Sequence, residues 1–115
     1  MHHTIPCAIE ILRGHDETAW IVTIPMEKVS DAIVLLTALQ YGKLTQIKFT
    51  GQHTAVLSPR TLTLDGAAVA VTDIWLETVM SMLLDCLLNG WMPAAHLDQN
   101  FDDTDVCISI APPAP

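Results

Sequence analysis

The sequence predicts an α+β domain: an antiparallel sheet carrying two helices on one face, in the order β-β-α-β-β-β-β-α-β. Three observations carry this reading. Two segments hold apolar residues at helical spacing, and each stops at a glycine. Short apolar runs rich in Val, Ile and Thr, separated by turn residues, fill the rest of the chain. The runs follow one another through tight connections, so they pair locally instead of alternating with helices. A length of 115 residues fits one domain with one core, spanning 1–115 with a short Pro-rich tail at 111–115.

Residues 4–13, TIPCAIEILR, and 18–25, TAWIVTIP, read as two strands joined through Gly14-His15-Asp16-Glu17. Trp20, Val22 and Ile24 share one face and are expected to meet Cys7, Ile9 and Ile11. Pro25 then starts a helix over about 26–41, where its missing N–H costs nothing. Val29, Ala32, Ile33, Leu36 and Leu39 form the apolar side, and Gly42 ends the helix. Four short runs follow, KLTQIKFT, HTAVL, RTLTL and AAVAV, separated by Gly51-Gln52, Ser58-Pro59 and Asp65-Gly66. Asp-Gly between two such runs is a strong hairpin signal, because a type I′ turn needs positive φ at both central residues.

The second helix, about 72–90, has Thr72 as N-cap, Asp73 and Glu77 near its positive end, and Gly90 with Pro93 beyond it. Its stripe of Leu76, Val79, Met80, Leu83 and Leu87 is expected to face the sheet. Trp75, Met82 and Cys86 lie on one flank, and Leu84, Leu88 and Trp91 on another. Such a helix has more apolar surface than a sheet alone covers. Either the first helix and the following loop cover the remainder, or a second copy does. The homodimer reading places Trp75, Met82, Leu84 and Leu88 in its seam. The segment AAHLDQNFDDTD reads as a loop leading to a last strand, VCISI.

Charge is divided unevenly. All five basic residues (Arg13, Lys28, Lys43, Lys48, Arg60) lie in the first 60 positions, balanced there by five acidic ones. Residues 61–115 hold eight Asp and Glu and no Lys or Arg, so the net charge of -8 resides in the second half. Such a half repels phosphate and attracts basic partners, which argues against nucleic acid as a ligand. Apolar runs fall well short of the roughly 18–20 residues needed to span a bilayer, so no membrane segment is expected. The start, MHHTIPCAIEILRGHDE, has no Lys or Arg ahead of its apolar part and makes a poor secretory signal. Cys7, Cys86 and Cys107 are odd in number and widely spaced, which suits reduced thiols in the cytoplasm; a Cys7–Cys107 bridge is the alternative weighed against this.

No motif for catalysis emerges. Asp98, Asn100 and Asp102 match the first oxygen positions of a calcium loop, but Asp103 stands where the turn needs Gly and Ser109 where the loop needs Glu. His96 and Asp98 lack a second His at zinc-ligand spacing, and His2-His3 sit at the chain start. The cysteines occupy apolar settings that suppress thiolate, and Ser58 lies in LSPR, not in a nucleophile elbow. No glycine loop cradles phosphate. No metal and no cofactor are therefore expected, and no enzymatic activity.

The expectation is a small acidic binding protein of the inhibitor, immunity or adaptor type, which captures a basic protein partner. Trp91, Asp98, Phe101, Asp102, Asp103 and Asp105 are its candidate contact residues: an aromatic anchor ringed by carboxylates that speed encounter with a basic surface. Against it stands a solvated loop whose Phe101 tucks onto the core. The alternatives in other classes are a structural homodimer associating through helix 72–90, and a small enzyme or ligand-binding module with a pocket at His53, His96 or Cys107.

Overall fold

Pro6 has no N–H to extend a strand ladder, and at the next residue the chain leaves one sheet for another. This switch governs the architecture of the computed structural model, which describes residues 3–114; Met1, His2 and Pro115, the last residue of the expected tail, lie outside them. The run expected as one strand over 4–13 is therefore two. Thr4–Pro6 (β1) pairs in parallel with Ile47–Thr50 (β4), whereas Ala8–Arg13 (β2) pairs antiparallel with Thr18–Pro25 (β3). At the junction the Cys7 N–H donates to the Thr50 carbonyl at 2.9 Å. The Cys7 carbonyl passes so close to Gly51 that a Cβ there would sit 2.2 Å from it. Gly51 is thus required by backbone contact, which a sequence reading as a turn residue understates.

The α+β class and both helices stand as expected, but the strands divide into two sheets where one was expected. Thr54–Leu57 (β5), Thr61–Leu64 (β6) and Ala67–Ala70 (β7) complete the first sheet, ordered β1-β4-β5-β6-β7. His96–Phe101 (β8) and Thr104–Ala111 (β9) complete the second, ordered β2-β3-β9-β8. Most pairings are antiparallel; β1 with β4 and β3 with β9 are parallel. The predicted β6–β7 hairpin is present, with Asp65 and Gly66 at φ 54° and 77°. Ile9 and Ile11 face Val22 and Trp20 as expected, while Cys7 lies outside either strand.

A single 3-10 turn, Met26–Lys28, leads into the first helix, Val29–Gln40 (α1); the second, Asp73–Asn89 (α2), is capped by the Thr72 hydroxyl accepting from the Trp75 N–H at 3.1 Å. Both helices close the space between the sheets. Leu36 of α1 and Leu76 and Val79 of α2 meet Phe49 and Leu57 of the first sheet and Val22 and Ile108 of the second. The core is therefore one, and each fully buried Leu or Ile contributes roughly 1.5–3 kcal/mol of transfer free energy.

The buried face of α2 is turned relative to expectation. Trp75, Leu76, Val79, Leu83 and Cys86 are buried, whereas Leu87 is 47% exposed. Trp75, assigned from sequence to an open flank, is 6% exposed and belongs to the core, because Phe101 and β8 cover that side. Met82 is half-buried, while Leu84 and Leu88 do face solvent, at 39% and 76% exposure. Among the described residues no helix is long and apolar enough to cross a membrane.

Candidate functional site: the acidic β8 edge

The segment expected as a loop folds because β9 gives it a partner. His96–Phe101 is mostly polar, yet Leu97, Gln99 and Phe101 alternate on one face opposite Ile108, Val106 and Thr104. Asp98 and Asn100 lie on the other face, opposite Cys107 and Asp105. Asp102 and Asp103 form the two-residue connection, Asp102 at φ 59°, a value that Asp tolerates better than most side chains. The Asp103 carbonyl accepts from the Thr18 N–H at 3.1 Å, which ties the turn to β3.

The expected contact residues fall into two groups. Asp98, Asp102 and Asp103 are exposed, and the partly exposed Asp105 accepts from Asn100 Nδ2 at 2.6 Å. Asp98 also stands 3.5 Å from His96 Nδ1. The two aromatic residues turn inward instead. Trp91 donates from Nε1 to the Ile110 carbonyl at 2.7 Å. Phe101 is half-buried, edge-on to Trp75 with ring centroids 5.8 Å apart and planes at 81°. The carboxylates thus share one hairpin, while Trp91 works as a structural clamp and Phe101 as the wall of a cleft.

That cleft is the feature missed from sequence. It opens between β8 and β7, which end their respective sheets. One part, of about 630 Å³, lies between β7 and the Asn100–Thr104 turn. A second, of about 360 Å³, runs on to the start of α2 past Trp75 and Leu97, with Ala70 and Phe101 shared between the two. Pairing fixes which backbone groups face it. The two-residue turns at 65–66 and 102–103 make Leu64–Ala67 and Phe101–Thr104 hydrogen-bonded pairs, and the bonds Val71 N–H to Arg60 and Ile110 N–H to Ala95 continue that phase. Ala68 and Ala70 on β7, and Asp98 and Asn100 on β8, therefore direct their N–H and C=O groups away from their own sheets. At Asn100 the carbonyl receives only a long contact from Gln99 Nε2, at 3.4 Å. Trp75 lines the second part, and its buried indole N–H has no hydrogen-bond partner among the described residues.

Elsewhere the side chains offer little chemistry. Burial pushes the Cys7 thiol up to about 11, against a smaller opposing effect of its Thr50 hydrogen bond. The Cys107 thiol rises to about 12, through burial and the hydrogen bond and charge of Asp98. Both hold their protons at neutral pH, and all three cysteines are free. Among the described residues no three His, Cys, Asp or Glu side chains converge as metal ligands would. Comparison with protein-family models finds no match, and comparisons with curated proteins and with solved structures find none either.

Proposed function

We propose that this chain is a small acidic, non-enzymatic binding protein, of the inhibitor, immunity or adaptor type, that captures a basic protein partner at the β8–β9 hairpin. One observation carries the reading. The hairpin at an open sheet edge gathers Asp98 on β8, Asp102 and Asp103 in its turn and Asp105 on β9, and no Lys or Arg follows Arg60 in the chain. Edge strands invite pairing, and the charge on this one sets which partners approach. The suppressed thiols support a role without nucleophilic chemistry, and unbridged cysteines support a reducing compartment such as the cytoplasm.

The test is association with purified basic proteins followed by biolayer interferometry. The Asp102→Asn/Asp103→Asn double variant, which keeps the turn's polarity and size, is expected to lower the on-rate about 3–10-fold with little change in off-rate. Equal on-rates for the variant and the parent would remove the hairpin from the capture surface.

A second reading, self-association through α2, has its own support in the exposed Leu84, Leu87 and Leu88 at the helix's C-terminal end. Their patch is short. Glu77 and Ser81 interrupt the same solvent face before Ile74 is reached, so the apolar area for a stable homodimer is limited.

A further inference from the structure

We infer that the occupant of the β7–β8 cleft is a basic, extended segment of the partner protein that adds as a strand to the free edge of β8. This deepens the capture reading and rests on it. Three features point to strand addition as the mode. The outward N–H and C=O groups of Asp98 and Asn100 form an unfilled half-ladder. The cleft is lined on its opposite side by the small side chains of Ala68 and Ala70, which leave room for a chain. Trp75 lines the same cleft, and its buried indole N–H has no partner among the described residues, so an inserted backbone brings acceptor carbonyls to the wall it forms.

Charge chooses among occupants. A second copy of β8 would bring a second Asp98 to the same edge, and like charges opposed across strands are destabilising. A basic strand reverses that sign. The two faces of β8 also specify a pattern. Side chains beside Leu97 and Phe101 meet apolar surface, and those beside Asp98 and Asn100 meet the Asp98 carboxylate, with Asp105 one strand further in on the same face, so the incoming segment alternates apolar and basic residues. Small alanines on one wall, an aromatic on the other and carboxylates at the rim match such a segment.

The probe is an alternating peptide, acetyl-Val-Lys-Val-Lys-Val-Lys-amide, as long as the six residues of β8. It is titrated at low salt into isotopically labelled protein, alongside the same peptide N-methylated at alternate backbone positions, in both phases. The expected result is binding by the first peptide with slowed exchange of the Asp98 and Asn100 amides, and at least a tenfold weakening by one N-methylated phase. The Asn100→Pro variant supplies the protein-side test. Its lost N–H points outward, so the β8–β9 ladder and all four aspartates persist. It too is expected to weaken binding about tenfold, with the native spectrum checking its fold. Binding unchanged by either N-methylated peptide overturns strand addition and leaves capture by charge standing. No binding by the unmodified peptide, together with none by any basic protein, overturns both. A concentration-dependent dimer that Asn100→Pro dissociates would assign the edge to a second copy and overturn the inference.

Discussion

Phe101 stands half out of the core with its ring edge-on to Trp75, so one side chain serves both packing and the wall of the cleft. An edge-to-face aromatic pair contributes about 0.5–1.5 kcal/mol beyond its buried area. Phe101→Leu keeps most of the apolar area and loses the ring geometry. It is expected to lower unfolding free energy by about 1 kcal/mol in urea titration. A larger loss, above about 3 kcal/mol, would mean that Phe101 is a core residue outright and not a cleft wall. The thiols of Cys7 and Cys107 give a second residue-level expectation. Both Cys7 and Cys107 have folded pKa values above the ordinary 9.0, at about 11 and about 12. The folded state therefore holds protons that the unfolded chain releases first. The stability this contributes is fully present below pH 9 and is lost as pH climbs toward those raised values. Cys107→Ser is expected to flatten the fall in denaturation midpoint between pH ~8 and pH ~10.5 relative to the parent. An unaltered fall would assign it to other groups.

At the scale of elements, α2 joins a buried stripe to an exposed end. Leu83 is fully buried, and Leu83→Ala is expected to cost about 2–5 kcal/mol, read as a shift in urea midpoint. Leu88, at 76% exposure, is the opposite case. Leu88→Asp should leave monomer stability within about 0.5 kcal/mol, yet abolish any homodimer seated on this face, because it would bury an unpaired carboxylate there. Sedimentation at high concentration separates these outcomes. The same helix shows which features were legible in the sequence. Thr72, Gly90 and the apolar spacing mark its limits because capping and periodicity are local. The facing side was off by a flank, since Phe101 and β8, distant in sequence, decide that Trp75 is covered and Leu87 is not. The Asp65-Gly66 hairpin was legible for the same local reason. The division into two sheets was not: it depends on the parallel pairings of β1 with β4 and β3 with β9, which no turn residue announces. Nor was β8, whose polar HLDQNF becomes a strand only beside β9. The aspartates of the candidate site could be read directly. The cleft beside them could not, because it exists only where two sheet edges face each other.

For the whole molecule, the division of charge separates long-range attraction from local contact. All eight acidic residues after position 60 add to the field that a basic partner meets at low salt. The Debye length is then about 30 Å at 0.01 M, comparable with molecular extents of 39 × 33 × 25 Å. At about 0.15 M it shrinks to roughly 8 Å, and only carboxylates at the contact still act. Asp85 tests the distinction. It lies ten residues along α2 from Trp75, the residue that touches Phe101, which is about 15 Å at ~1.5 Å per residue. Asp85→Asn is therefore expected to slow association with a basic protein measurably at ~0.01 M salt and to have no effect at ~0.15 M. Asp102→Asn/Asp103→Asn should slow it at both, because these carboxylates flank the cleft itself. Stopped-flow association rates for both variants, at the two salt concentrations, give the four comparisons required. If Asp85→Asn slows association as much as the turn variant at the higher salt, the partner docks on α2, and the β8 edge loses its role as the point of first contact.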